Sequence, residues 1–211
     1  MARVGALARD FYRRPSLEVA PDLLNKLLVV GDGDRGGGGE GEGEGDRRRV
    51  GRIVEVEAYC GADDPASHAF RGRTARNATM FGPPGHLYVY FTYGMHFCAN
   101  VVCGEEGEAS AVLLRGLTPV AGIDEMWAVR PACRRERDLC AGPARLCLAL
   151  GLDRSFDGAD LVTGDRGVVV GDDGTPPPAV VGVGERVGIR VATDRPWRYY
   201  VAGAAGLSRP G

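Results

Sequence analysis

A carboxylate and a phenol two residues apart are the first feature of this sequence that could do chemistry. They are Glu57 and Tyr59, in the alternating segment RIVEVEAY. Residues two apart in a β-strand point to the same side, so the carboxylate and the ring share a face. A glutamate held beside a ring in a partly desolvated place can act as a general base. The same alternation puts Ile53 and Glu55 on this face. The pattern also fits a solvated outer face, and Glu55 is a competing acid.

The run LYVYFTYGMHF, at residues 87–97, is the second such feature, because six of its eleven side chains are rings. Strong β-formers fill its first six positions, which predicts a strand. Alternation places one set of side chains in the core and the other on the opposite face; the core set is Leu87, Val89 and Phe91, and the other is Tyr88, Tyr90 and Thr92. The second face is either the edge of a core or a platform that stacks flat, aromatic ligands.

Two polar residues lie inside apolar strands. Arg115 interrupts AVLLRGL, where its charge needs a carboxylate or phosphate partner unless an edge position lets it reach solvent. Asn100 lies in the apolar segment FCANVV, where its amide needs hydrogen-bond partners. Its role is either structural or the recognition of a ligand. A polar loop at residues 60–79 adds His68 and three arginines. Together these features suit a planar ligand attached to phosphates.

The elements that must position these residues are mostly strands. RRVGRIVEVEAY alternates between polar and apolar, and apolar runs at residues 99–103 and 110–117 predict two further strands. A short helix is expected from Pro21–Asp22. Residues 119–150 are expected to be mostly helical, with Pro143 at the start of a helix and Gly151 at its end. Strands are expected around ERVGIRVAT and WRYYVAG. Because strands outnumber helices and follow one another, the fold class is α+β. We expect a single mixed domain over residues 1–211, with a curved, largely antiparallel sheet flanked by helices.

The formal net charge of −2 hides an uneven distribution. Residues 31–46, GDGDRGGGGEGEGEGD, form a low-complexity tract that is expected to be a flexible, solvated loop. Without its six acids and one arginine, the net charge is +3. Lys26 is the only lysine, so the other basic groups are arginines, which suit bidentate phosphate contacts. The charge therefore permits a nucleic-acid partner.

Several classes of protein are not expected. The six cysteines form no CxxC pair and, with the three histidines, no zinc-ligand spacing, so we expect reduced thiols and no metal. No run of eighteen apolar residues predicts a membrane span, and the N-terminus lacks the apolar stretch of a secretory signal. An intracellular protein is expected: cytoplasmic or at the nucleoid in a bacterium, nuclear in a eukaryote.

The order of the motifs resembles the alkyladenine (3-methyladenine) DNA glycosylase family. RIVEVEAY is followed by a His-bearing loop with RNATMF, then by PPGHLYVYFTYGMHFCANVV, AVLLRGLTP and LCAGPARLCLALGL. The resemblance runs in order from about residue 10 to 203. It implies a monofunctional enzyme, active as a monomer, that flips a damaged purine out of double-stranded DNA and hydrolyses its N-glycosidic bond. The expected lesions are 3-methyladenine, 7-methylguanine, hypoxanthine and ethenoadenine, and no cofactor is implied.

The resemblance also implies roles for individual residues. Glu57 would activate the water that attacks C1′ of the deoxyribose, and Arg115 would help hold that water and the target phosphate. Around the flipped base, Tyr59 and Tyr90 would stack, His68 would stack and contact an edge, and Asn100 would disfavour the 2-amino group of guanine; the base-binding set also includes Ala58. Tyr93 would be the wedge that fills the gap in the duplex, and the remaining DNA contacts would be Met95, His96, Gly142 and Arg145.

The lysine content favours simple hydrolysis over strand cleavage. Glycosylases that also cleave the strand use an amine to form a Schiff base, and Lys26 lies outside every motif. Three alternatives stay open: a non-catalytic nucleic-acid binder with the same fold, a hydrolase of free nucleosides or glycosides, and an RNA-directed enzyme. A general base at Glu57 argues against the non-catalytic binder, which would have no use for one. A wedge at Tyr93 argues against the hydrolase of free nucleosides or glycosides, which opens no duplex.

Overall fold

The computed structural model describes residues 4–31, 48–92 and 94–209. Its helices are α1 (Arg9–Tyr12), α2 (Ser16–Leu23), α3 (Ile123–Ala128) and α4 (Pro143–Leu150). Its strands are β1 (Gly5–Ala6), β2 (Leu27–Val30), β3 (Arg49–Cys60), β4 (His86–Thr92), β5 (His96–Cys103), β6 (Ser110–Ala121), β7 (Ala159–Asp160), β8 (Val168–Asp172), β9 (Val181–Gly184) and β10 (Arg198–Val201). Short 3₁₀ turns occur at Gly61–Asp63, Ala78–Phe81, Glu136–Asp138 and Arg154–Phe156.

The ten strands of the described residues belong to one curled, antiparallel sheet, which confirms the predicted α+β class. The main order is β1-β8-β2-β3-β6-β5-β4-β7. Strand β3 is the branch point, because its first half pairs with β2 and its second half pairs with β10. Along its other edge β3 pairs with β6, and β10 pairs in turn with β9. This arrangement puts the segment that carries Glu57 in the middle of the sheet.

The register between β3 and β6 changes on both sides of Glu55. Ile53 pairs with Leu117, Glu55 with Gly116 and Val56 with Leu114. One residue on each strand is therefore left without an opposite partner in this register, Val54 and Arg115. Irregularities of this kind change the direction of nearby side chains. Ile53 packs in the main core with Val56, which overturns the prediction that it shares a face with Glu55.

The main core lies between the sheet and helices α2 and α4. Helix α4 begins with Pro143, as predicted, and its buried side chains include Leu146 and Leu150. Other predictions were wrong. Helix α2 begins at Ser16 and contains Pro21 inside it, ending soon after that proline. Residues 119–150 are only partly helical, because β6 continues to Ala121 and much of the stretch before α4 is loop.

The tip of the β4–β5 hairpin extends beyond its neighbour. Strand β6 pairs with β5 only from Asn100 to Cys103, so the first residues of β5 have no partner on that side. Phe91 was predicted to be core, but it is 44% exposed and contacts the ring of Phe97 across the hairpin. Within β4, Leu87 and Val89 pack in the main core, and Tyr88 packs in a second, smaller cluster.

Two sequence predictions fall outside the part of the chain that is described. They are the acidic loop at 31–46, of which only Gly31 is described, and the wedge Tyr93. Within the described residues, no helix combines the length and apolar character that a membrane crossing requires.

Candidate active site

The candidate site is a cavity of about 380 Å³ on the face of the sheet opposite the main core. A row of directly paired residues across five strands crosses this region: Tyr88, Asn100, Leu113, Glu57 and Arg198. Strand pairing thus brings together residues more than a hundred positions apart. The lining includes four predicted base-binding residues and the predicted catalytic arginine: Tyr59, His68, Tyr90, Asn100 and Arg115.

Glu57 is fully buried just behind the cavity wall and contacts three residues of the lining. Val187 donates its backbone N–H to Oε1 at 2.6 Å, and Tyr59 donates its hydroxyl to Oε2 at 3.0 Å. Arg115 Nη1 lies 3.3 Å from Oε1. Burial raises the pKa of Glu57, while Arg115 and the two hydrogen bonds oppose part of the rise. Burial and the Glu57 charge raise the pKa of Tyr59, so its hydroxyl stays a donor.

The surroundings of Glu55 separate it from Glu57. Its carboxylate accepts from Arg115 Nε at 3.3 Å, Arg198 Nη1 at 3.0 Å, and the N–H and hydroxyl of Ser208 at 2.5 and 2.9 Å. A carboxylate offers about four acceptor sites, two on each oxygen. Oε1 of Glu55 takes three of these contacts and Oε2 takes one, and of the three residues that make them only Arg115 lines the cavity. Glu57 has three contacts, which leaves about one site for a further donor. The solvated outer face considered for this strand is not observed, because both carboxylates are fully buried.

Arg115 joins the two carboxylates, so its partner in the strand is a carboxylate and not solvent. Its Nε contacts Glu55 and its Nη1 contacts Glu57. The side chain is only 7% exposed, yet it forms part of the cavity wall. A buried cation between two buried anions is well compensated, and it retains a surface toward the cavity.

Aromatic rings form one side of the cavity. The His68 ring packs edge-on against Tyr90 at 4.5 Å between centroids, and Tyr90 stacks on Tyr88 at 5.4 Å. The Tyr88 hydroxyl lies 3.2 Å from His68 Nδ1. Partial burial lowers the pKa of His68, although the ring is open to solvent on one side, and the Arg76 charge lowers it further. The imidazole is therefore mainly neutral at pH 7.

Asn100 is buried in the lining, and its amide donates to the Tyr88 carbonyl at 3.2 Å. This hydrogen bond fixes the side chain and supplies the partner that the sequence predicted for the amide. The residue remains part of the cavity wall. Ala58 differs from the other predicted base-binding residues. It is packed in the main core, outside the lining, and its backbone groups bond to Trp197 and Arg186.

The segment ERVGIRVAT closes the cavity as a loop, which contradicts the strand predicted for it. Its amide at Val187 bonds to the Glu57 carboxylate instead of a neighbouring strand. Arg186 is buried, makes a bidentate ion pair with Asp64, and lies 4.7 Å from the centre of the Tyr59 ring. Sequence reasoning missed Arg186 and Asp64. The only sequence signal for this pair was that Arg186 lies inside an apolar segment, which is the same signal that identified Arg115.

The predicted DNA-contact residues that are described lie in two places. Met95 is 71% exposed and His96 is also exposed, both at the tip of the β4–β5 hairpin. Gly142 precedes α4 and its N–H already bonds to the Cys140 carbonyl. Arg145 is exposed on α4 and donates to the Ala141 carbonyl. Neither Gly142 nor Arg145 lines the cavity, although the neighbouring Pro143 does.

Lys26 and the cysteines other than Cys98, which is part of the lining, lie outside the cavity. The Lys26 ammonium is 2.5 Å from Asp172, and the residue is not part of the lining. All six cysteines are free thiols. In the described parts of the chain, no three His, Cys, Asp or Glu side chains converge as a metal site would require.

The chain is similar to known proteins along nearly its whole length. The family model described as methylpurine-DNA glycosylase (MPG) matches residues 10–205. A Burkholderia lata protein named as a 3-methyladenine DNA glycosylase is 53% identical over 204 residues, covering 97% of this chain and 91% of the relative. Proteins named in the same way from Streptomyces avermitilis and Carboxydothermus hydrogenoformans are 48% and 46% identical, covering 92% of this chain and 87% and 94% of their own lengths.

Proposed function

Because the chain belongs to the methylpurine-DNA glycosylase family and is therefore a DNA N-glycosylase of base excision repair, we propose that it hydrolyses damaged purines from duplex DNA with a water activated by Glu57. The proposed lesions are 3-methyladenine, 7-methylguanine, hypoxanthine and ethenoadenine. The target nucleotide leaves the duplex and enters the cavity, because its glycosidic bond is out of reach inside the stack. We also propose that one copy of the chain is sufficient for this reaction.

One arrangement carries the proposal: a buried carboxylate with about one acceptor site left, directly behind a ring-lined cavity. A water molecule at this wall donates one proton to Glu57 and directs its oxygen at C1′. The C–O bond forms as the C1′–N bond breaks, and the electron pair of the broken bond leaves with the purine. The second carboxylate, Glu55, is less suited to this role, because two of the three residues that contact it, Arg198 and Ser208, lie outside the cavity lining.

Arg115 suits a second role beside the water. Its guanidinium contacts Glu57 and reaches the cavity wall, where positive charge would hold the target phosphate. It also opposes the rise in the pKa of Glu57 that burial causes, and so favours the ionised form that a base needs. The same cation thus supports the base and the substrate.

The rings suit a purine that already carries positive charge. Tyr59, His68 and Tyr90 present aromatic surfaces to the cavity, and such surfaces favour a cationic ligand. A cationic alkylated purine is a good leaving group and departs as a neutral base. A neutral purine such as hypoxanthine needs protonation or a contact to its ring nitrogens before it leaves.

The hairpin tip suits the DNA contact. Met95 and His96 are exposed at the hairpin tip. They follow Tyr93, which stays the proposed wedge, by two and three residues in the sequence. Apolar side chains inserted between base steps hold a duplex open at the site of flipping. Simple hydrolysis is favoured over strand cleavage, because Lys26 is held by Asp172 away from the cavity.

The test measures free base released from DNA. The purified chain is incubated with bulk methylated DNA and with duplexes carrying one hypoxanthine or one ethenoadenine, and released bases are separated by chromatography. Glu57→Gln should abolish release and keep tight binding to a duplex with an abasic-site mimic. The exposed Glu106 provides a matched control, and Glu106→Gln should behave as the wild type.

Two outcomes would overturn parts of the proposal. Full release by a folded Glu57→Gln variant would exclude Glu57 as the base. Binding without release by the wild type on every substrate would favour the non-catalytic binder. Comparison with the same sequences as RNA, in the same assay, separates a DNA enzyme from an RNA-directed one.

A further inference from the structure

A C-terminal segment, residues 205–208, lies across β6 beside the two buried carboxylates. Thr118 donates its hydroxyl to the Ala205 carbonyl at 2.5 Å. Gly206 has a φ of 92°, and a side chain there would collide with the Leu117 backbone. This close approach, which only glycine permits, brings Ser208 to the site although it is 93 residues from Arg115 and 153 from Glu55.

Ser208 makes three polar contacts with the carboxylate network. Its backbone N–H donates to Glu55 Oε2 at 2.5 Å, and its hydroxyl donates to Glu55 Oε1 at 2.9 Å. The hydroxyl oxygen accepts from Arg115 Nη2 at 3.0 Å. One hydroxyl thus serves as donor and acceptor at once, which matches its one proton and two lone pairs.

These contacts complete the attachment of the guanidinium. Arg115 has three nitrogens, and each has its own partner: Nε contacts Glu55, Nη1 contacts Glu57 and Nη2 contacts Ser208. A guanidinium held at two nitrogens can still swing about the line between them, whereas contacts at all three fix its plane. The fixed plane is what keeps Nη1 on the Glu57 carboxylate.

We propose that Ser208 is a positioning residue, whose hydroxyl fixes the plane of the Arg115 guanidinium so that it meets both Glu57 and the substrate phosphate. The inference rests on the proposed function for the roles of Glu57 and Arg115. It adds that the C-terminal segment is part of the active site, although Ser208 does not line the cavity.

Loss of the hydroxyl should be visible in the titration of Glu57. The charged or titratable groups that face this carboxylate and its partner, from its own strand and from neighbouring elements, are Glu55, Tyr59, Tyr90, Arg115, Arg186 and Arg198. Among these groups, Arg115 and Glu55 each lose one contact directly when the hydroxyl is removed, and Glu55 thereby loses part of its compensation. Both changes raise the pKa of Glu57, because its nearest cation is held less firmly and its nearest anion is less neutralised.

The experiment compares Ser208→Ala with Ser208→Thr and Thr118→Val in the full chain. Ser208→Ala removes the hydroxyl, and Ser208→Thr retains one. Thr118→Val removes the other side-chain hydrogen bond on the same segment without touching Arg115 or Glu55. Thermal melts check folding, single-turnover base release gives the rate at each pH, and carboxyl-carbon NMR gives the Glu57 titration, assigned with Glu57→Gln.

Ser208→Ala should release base at least about tenfold more slowly at saturating enzyme, because a hydrogen bond to a charged group is lost. The acid limb of its rate profile and the Glu57 titration should both move to higher pH. Ser208→Thr should restore both, and Thr118→Val should match the wild type.

An unchanged Glu57 titration in folded Ser208→Ala would overturn the inference. The inference would also be overturned if Thr118→Val lost as much rate as Ser208→Ala and neither variant shifted the acid limb. That result would show that the segment acts only on stability. If the wild type releases no base, the proposed function fails, but the titration still decides whether Ser208 positions Arg115.

Discussion

Replacing Asp64 with asparagine removes one charge from the buried ion pair that joins the two loops of the pocket. Asp64 follows the end of β3 on the loop that carries His68, and Arg186 lies on the loop that covers Glu57. Both side chains are 0% exposed. Asparagine keeps the oxygen that accepts from the Ala66 N–H, so the change tests the charge and not the turn.

The expected cost follows from burial. Removing one partner of a buried ion pair leaves an uncompensated charge and costs about 3–5 kcal/mol. For a chain of this length, each kcal/mol lowers Tm by about 2–4 °C, so Tm should fall by about 6–20 °C. Asp63 is the neighbouring residue and is exposed, so Asp63→Asn should change stability by less than about 0.5 kcal/mol.

Urea unfolding and thermal melts of both variants provide the measurement. Adding Arg186→Met to Asp64→Asn should cost less than the sum of the single changes, because the second change removes the stranded charge. If Asp64→Asn unfolds no earlier than Asp63→Asn, the ion pair does not hold the two loops together and the reasoning is wrong.

Two further predictions concern the reaction. The single-turnover rate on alkylated DNA should have an acid limb above pH 4.5, along which the rate falls as the pH drops. The reason is that burial raises the pKa of Glu57, and only its ionised carboxylate accepts a proton from water. A rate that is flat from pH 4.5 to 7.5 would contradict this prediction. Asn100→Ser should increase release of undamaged guanine, because it shortens a side chain that Tyr88 fixes at the cavity wall. Chromatography measures the guanine released from unmodified DNA and the hypoxanthine released from a duplex that carries it. An unchanged ratio of guanine to hypoxanthine release would show that Asn100 does not restrict the cavity.

Local sequence patterns determined much of this protein. Alternation in RIVEVEAY and LYVYFTYGMHF identified β3 and β4, and Pro143 and Gly151 bounded α4, because these signals depend only on neighbours along the chain. The order of the motifs indicated the family, which the comparisons confirmed. An arginine in an apolar strand required a partner wherever the strand lay, so the importance of Arg115 was also visible.

Other features were decided only by the tertiary structure. Alternation could not separate Glu55 from Glu57, because the difference lies in their partners. Ser208 and Arg198, which contact Glu55, lie outside the cavity lining and are 143 or more residues away along the chain. Nor could it place Ile53, since the register shift beside Glu55 depends on how β6 pairs with β3.

The loop that covers the site shows the same division. Residues 185–193 read as a strand by their apolar pattern, yet they form no strand there. Arg186 is held by Asp64, 122 residues away, and the Val187 amide goes to Glu57, 130 residues away. The sequence by itself determined which segments form the sheet and which residue types could act, since these follow from local preference and burial. The tertiary structure decided which carboxylate lies against the cavity lining, because the partners of a buried carboxylate are whichever donors the folded chain brings to it.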